Sequence, residues 1–313
     1  MACGARWTDR GVVSIGAEGE YGVLPSAPLS PFPLFGSAAA FVEEMDVRTR
    51  NEGSSFSGLT QSRARRSVTN LPPLLTDLTG EQGVWMDALA AGGFRYRHDL
   101  STASRDVWRA ERDANASVSA KLNVDGLQHT VLGCRGSVAV FGDAGGAAQM
   151  RADLSGIPSS DMDTAALVAD NATLDQPIIV CGAQFVIEIE GATSVTPVLR
   201  AFNIATGRTL AEKRSFGRAA PVTELRPLSR ASVWGCSIDQ GATDWVALQE
   251  AGTKFGLSMT LSLGARSIEC RSIGRNAYLS APPRLDTGSS VLGVALVFGL
   301  IGQADGDLEL IRT

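Results

Sequence analysis

Catalysis needs polar side chains that converge, and this sequence offers few candidates. It has two histidines, His98 and His129. His98 precedes Asp99, the order of a base and its orienting carboxylate. Neighbours in a strand point to opposite faces, however, so this pair does not make a dyad. His129 falls in a predicted turn, and both read as surface or hydrogen-bonded histidines. Five cysteines, Cys3, Cys134, Cys181, Cys236 and Cys270, include no CxxC pair. Their odd number argues against a disulfide framework. Most lie in or beside apolar runs, as small buried hydrophobes do. Asp161 and Asp163 sit in a predicted linker and are too few for a metal site. Gly16, Gly19 and Gly22 have the look of a phosphate loop, but Glu18 and Glu20 between them repel phosphate. GxSxG, HExxH, Walker A and EF-hand patterns are all missing. The expectation is a non-enzymatic chain with no catalytic residue, no cofactor and no metal.

Composition points to strands and turns. Charged residues make up 19% and hydrophobic residues 44%, with 34 glycines and 13 prolines. Such a chain can bury a core and turn often, whereas disorder needs low hydrophobicity and high net charge. The most apolar run, Val291–Ile301, is far shorter than the ~20 residues of a spanning helix and reads as a buried strand. The first twenty residues carry Arg6 and Arg10 but no apolar signal region. The expectation is a chain neither exported by the usual route nor embedded in a membrane.

The elements that would position any chemistry are mostly short strands. Residues 1–36 read as an extended N-terminal arm, with early glycines and then Pro25, Pro28, Pro31 and Pro33. A strand is expected near Ala39–Val47. From Arg48 to Arg66 a polar loop or long hairpin holds Arg48, Arg50, Arg63, Arg65 and Arg66 against one Glu. Apolar spacing predicts a helix over Gly80–Ala91, capped by Thr79 and stopped by Gly92-Gly93. Residues 117–125 alternate, which predicts a half-buried strand. Thr130–Cys134 and Ser137–Phe141 continue it as a meander, and Gly142–Gly146 supplies a turn. Residues 158–176 read as a linker. Beyond it the pattern predicts strands at Phe185–Glu190, Phe202–Ile204, Leu257–Leu263 and Val291–Leu300, and a helix over Thr243–Ala251.

The order of elements occurs twice. A Trp-bearing helix precedes an alternating strand in GVWMDALAAGG…SAKLNVDG and again in TDWVALQEAG…LSMTLSLG. Each strand ends in Gly, and each is followed by Cys-Arg, Cys134-Arg135 and Cys270-Arg271. The first half carries about twenty extra residues, Phe94–Ala114, a size that loops tolerate. The fold class expected is mainly β: two tandem β-sandwich or barrel domains, 37–157 and 177–313, each flanked by one helix. Four of the five tryptophans have a place in this scheme. Trp85 and Trp245 cover the sheets from their helices, while Trp108 and Trp234 serve the core by default or subunit contacts.

Glu18-Gly19-Glu20-Tyr21-Gly22 followed by Pro25, then a strand and polar loop, a helix near Trp85–Gly93, the alternating strand and Gly-Cys segment of Ser119–Val140, and a Gly-ended strand near Gly156 make a familiar succession. It resembles the larger, two-domain tail tube proteins of long-tailed, siphovirus-like bacteriophages, best over residues 15–157. The resemblance implies a virion structural protein that assembles with itself. Rings of six domains stack around a lumen through which genomic DNA passes without specific binding. With two domains per chain, three copies make a ring of pseudo-sixfold symmetry; with one, six copies do. The arm and the Arg48–Arg66 loop would bridge rings. Tape measure and tail terminator proteins are the partners implied. The tail of the virion, and the host cytoplasm during assembly, are the locations implied. The net charge of −5 suits a lumen that repels phosphate.

Other readings remain open at this point. A tail terminator, a baseplate hub or ring protein, or a head–tail connector would share the fold without stacking indefinitely. A β-sandwich adhesin would show clustered exposed aromatics, and only three Tyr are present. A hydrolase on a β scaffold would show clustered carboxylates in a pocket.

Overall fold

The computed structural model describes residues 11–32, 45–50, 59–65, 68–79, 83–99, 105–124, 127–164, 183–214, 222–239, 241–263, 266–286, 292–302 and 306–313. The chain is mainly β, with a large antiparallel sheet and, among the described residues, two short helices. Its first part runs through β1 (Gly11–Ala17), β2 (Ser30–Phe32), β3 (Met45–Arg50), β4 (Leu59–Arg65), β5 (Thr69–Asn70), β6 (Leu74–Asp77) and helix α1 (Trp85–Ala91). There follow β7 (Phe94–Asp99), β8 (Arg105–Ala110), β9 (Val118–Val124), β10 (Leu127–Asp143) and β11 (Gln149–Thr164). The second part holds β12 (Gln184–Ile189), β13 (Leu199–Ala205), β14 (Arg208–Arg214), β15 (Val222–Arg230), β16 (Val233–Asp239) and helix α2 (Trp245–Glu250). It ends with β17 (Phe255–Leu263), β18 (Arg266–Ser272), β19 (Ala277–Leu279), β20 (Arg284–Asp286), β21 (Gly293–Leu300) and β22 (Leu308–Arg312).

Antiparallel pairings link most of these strands into one network, while β3–β4 and β14–β15 form separate two-stranded sheets. In the first part β1 pairs with β9, β9 with β10, β10 with β11 and β11 with β6. In the second part β12 pairs with β17, β17 with β18 and β19, β19 with β21, and β21 with β16. Each helix follows the last strand of its series, α1 after β6 and α2 after β16.

The helices and alternating strands lie close to where the sequence puts them. In β12, Phe185, Ile187 and Ile189 are buried, and in β17 Phe255, Leu257, Met259 and Leu261 are buried. Asp244 caps α2 by accepting the amide of Ala247 at 3.1 Å. Gly92 and Gly93 stop α1, Gly93 at φ +102°. Thr79 does not cap that helix: Val84 stands at the cap position with no side-chain bond.

Several boundaries differ, most of them because pairing partners are remote in sequence. Gly11–Ala17, expected in the arm, pairs along its whole length with β9, and Val13 and Ile15 are fully buried. Ser30–Phe32 pairs with β1. Residues 158–164, expected in a linker, extend β11, because Leu127–His129 offers them main-chain partners. The rest of the linker, and the strand expected before Met45, lie outside the described residues. Thr130–Cys134 and Ser137–Phe141 form one strand, and His129 stands within it rather than in a turn. The polar side of β9 is covered, since Ser117 and Ser119 are as buried as Val118 and Ala120. The extra segment Phe94–Ala114 is the hairpin β7–β8 rather than a loop.

The core is aromatic at its centre. Trp85 lies 6.0 Å from Trp108, Phe185 stacks on Trp234 at 5.9 Å, and Phe255 meets Phe298 edge-on at 5.3 Å. Trp108 and Trp234 thus serve the core.

Candidate assembly interface

Two strand pairings join the part of the chain before residue 165 to the part after 182. Ala139–Asp143 of β10 pairs with Ala201–Ala205 of β13. Asp106–Ala110 of β8 pairs with Leu308–Arg312 of β22. The first seam is apolar on its inner face, with Val140 opposite Ile204, both buried. Thr206 closes it: its amide donates to the Val138 carbonyl at 2.9 Å, and its hydroxyl accepts the Val138 amide at 3.1 Å.

The second seam is ionic. Glu309, buried on β22, accepts Nε of Arg109 at 2.7 Å from one side and Nε of Arg271 at 2.6 Å from the other. Asp106, also buried, accepts the Tyr96 hydroxyl at 2.7 Å and Nε of Arg312 at 3.0 Å. Buried carboxylates held by two donors each are satisfied, which is the condition for tolerating such charges.

A third junction is built around a bulge. Between Leu132 and Arg135 the register of β10 slips, and Gly133 adopts φ +63°. A bulge leaves a main-chain N–H to be accounted for. Glu18, in the turn after β1, accepts the Gly133 amide at 2.8 Å. The same carboxylate accepts the Ser117 hydroxyl at 2.6 Å, the Ser119 hydroxyl at 2.7 Å and the Gly22 amide at 2.9 Å. Tyr21 lies against the bulge, where a Cβ at 133 would come within 2.5 Å of its ring. The Arg135 guanidinium sits 4.3 Å above that ring. Tyr21 then reaches the other part of the chain, its oxygen accepting the Leu225 amide at 2.7 Å, while Arg135 donates to the Leu225 carbonyl at 2.6 Å. Burial pushes the Tyr21 phenol up and the Arg135 guanidinium down from their usual values. Arg208 enters beside them, donating to the carbonyls of Ala91 and Ala114. Burial, and then the charges of Arg135 and Arg230, hold it below the usual arginine range.

The arginines expected at an inter-ring contact sit on one hairpin. Arg48 and Arg50 belong to β3, Arg63 and Arg65 to β4, and Arg66 lies outside the described residues. Arg48 pairs with Gln61 and Met45 with Arg65, with a register shift between Met45 and Val47. The Glu18–Gly22 turn, which sequence reasoning put in the arm, instead holds the β10 bulge, a structural role the sequence reading did not find. The signal for it was the Glu18, Tyr21 and Gly22 spacing itself.

Chemistry is sparse at the remaining candidates. Cys134, Cys236 and Cys270 are buried thiols. Burial pushes Cys236 and Cys270 up to about 12, and Cys134 is pushed up as well. Such thiols are poor nucleophiles. Cys3 and Cys181 lie outside the described residues. His98 stands opposite Asp106, whose carboxylate Tyr96 and Arg312 already engage. Among the described residues no group of three or more His, Cys, Asp or Glu is placed to hold a metal ion. No helix among them is long and apolar enough to cross a membrane. A pocket of about 400 Å³ is lined by Arg109, Glu188, Glu269, Arg271 and Glu309; both of its arginines engage Glu309, Glu269 accepts the Ser258 hydroxyl at 3.3 Å, and Glu188 pairs with Arg275 at 3.5 Å. No protein-family model and no curated protein matches this chain.

Proposed function

We propose that this chain is a structural subunit that assembles with itself, the tail tube protein of a long-tailed bacteriophage. The observation that carries the reading is the repeated pairing order. The series β1–β9–β10–β11–β6 has its counterpart in β12–β17–β18/β19–β21–β16, each followed or flanked by one helix. Read as two tandem β-sandwich or barrel units, the chain already contains unit-to-unit strand junctions, β10 with β13 and β8 with β22. Three chains then make a ring of six units, and rings stack around a lumen for genomic DNA. The sparse chemistry favours this scaffold role over an enzyme. Exposed strand edges, a hazard in a monomer, become the means of assembly. Tape measure and tail terminator proteins are the partners this role requires.

Electron microscopy of the purified protein, with mass measurement of isolated rings, tests the reading. Long hollow tubes whose rings contain three chains are expected. Six chains per ring would refute the tandem count. Single closed rings that never stack would point to a terminator or baseplate ring instead.

A further inference from the structure

Three buried arginines meet where the β14–β15 hairpin joins the first part of the chain. Arg208 of β14 stands directly opposite Arg230 of β15, a placement of like charges that costs stability unless something offsets it. Arg208 donates to the Ala114 carbonyl, and Arg135 of β10 donates to the carbonyl of the next residue, Asn115. Acidic partners are shared unevenly among the three. Asp307 accepts Nε of Arg230 at 3.2 Å. Glu224 lies 3.5 Å from Arg135 and also serves Lys213 and Arg226, and Glu18 favours the charge on Arg135 from nearby. Among the described residues no carboxylate pairs with Arg208. Its partners are the carbonyls of Ala91 and Ala114, and its charged neighbours are Arg135 and Arg230. Ala91 ends α1, so the negative end of that short helix offsets only part of the charge. Two donors in the cluster are also left over: Nε of Arg135 and Nη1 of Arg230 are buried without a hydrogen-bond partner. An unpaired buried cation and unpaired buried donors call for the same complement, a negatively charged acceptor.

We propose that this cluster is a binding site for a small monovalent inorganic anion, chloride or an ion of its size, held by Arg208 together with Arg135 and Arg230. One negative charge matches the one arginine that has no acid. Small size follows from the packing: a Cβ at Gly93 would already come within 3.1 Å of Cδ and 3.2 Å of Nη1 of Arg208. Arg135 precedes residue 165, whereas Arg208 and Arg230 follow residue 182. The anion therefore ties the hairpin to β10 and to the end of α1. This inference rests on these contacts alone and is independent of the assembly reading.

Urea unfolding of the full chain at constant ionic strength tests the site, with chloride exchanged for gluconate, which is too large to enter. Raising chloride from zero to about 100 mM should lower the unfolding constant about tenfold for a site half-filled at about 10 mM. Arg208→Met should lose that dependence. Arg226→Met, on the same hairpin but with an exposed side chain, should keep it. A second readout needs no variant: crystals grown in bromide should show an anomalous-scattering peak within hydrogen-bonding distance of the Arg208 guanidinium. Should Arg208→Met fail to fold, that peak decides the matter. Unfolding indifferent to chloride, a dependence that survives in Arg208→Met, or bromide crystals without the peak would each overturn the site and leave the tube reading intact.

Discussion

The phenol oxygen of Tyr21 accepts the amide of Leu225 at 2.7 Å, across 204 positions of sequence. One side chain thereby fills the bulge at Gly133 and fastens the β14–β15 hairpin to the first part of the chain. Tyr21→Phe keeps the ring and leaves the Leu225 N–H without its acceptor, which should cost about 1–2 kcal/mol in urea unfolding. Gly133→Ala should cost about 2 kcal/mol, from its positive φ and from the ring in its way. In a Tyr21→Ala background the same change should cost less, because the ring is gone. Equal costs in both backgrounds would show that Tyr21 does not hold the bulge.

Glu309 links β8, β22 and β18 through Arg109 and Arg271. Glu309→Gln keeps the shape and removes the charge. The two arginines retain some water, which softens the loss, so about 2 kcal/mol is expected by chemical denaturation. A variant as stable as the wild type would show that the seam depends on main-chain pairing alone.

The buried thiols make stability depend on alkaline pH. Each folded value lies above the unfolded one, so the folded state holds its proton longer. The contribution is complete below about pH 9 and is lost as pH rises towards about 12 for Cys236 and Cys270. Between pH 9 and 10.5 this amounts to about 2 kcal/mol per thiol. Tyr21, raised as well, acts in the same sense. Arg208, lowered by burial to about 10, acts in the opposite sense from about pH 10 upward and offsets part of this loss. Urea midpoints measured across this range should fall for the wild type and fall less for Cys236→Ala. Parallel slopes would exclude the thiol.

On the tube reading, reversing Arg63, Arg65 and Arg66 to Glu should weaken stacking between rings and shorten the tubes seen by electron microscopy. Tubes of unchanged length would remove the β3–β4 hairpin from that contact.

What the sequence made legible was local. Phe185–Ile189 and Phe255–Leu263 announce themselves by alternation, Trp85–Ala91 by spacing, and Gly92-Gly93 by the stop they impose. What it hid was remote. Gly11–Ala17 looks like an arm because glycines and prolines surround it, yet Ala120 and Leu122 lie across from Ile15 and Val13 in β9. Pro158–Thr164 looks like a linker because it is polar, yet β10 supplies its ladder. Short motifs carried more than they seemed to, since Glu18, Tyr21 and Gly22 gain their meaning only where β10 bulges.

The ionic seam has a consequence in time. Arg109 and Glu309 are 200 residues apart, so a ribosome finishes β8 long before it makes the strand that covers it. Until then β8 has a bare edge towards the rest of the cell, and pairings this distant form slowly. A newly made chain therefore passes through a stage in which the wrong neighbour can take the place of β22. Chaperones, or rapid docking of β22 once synthesised, must carry it past that stage before the fold is complete.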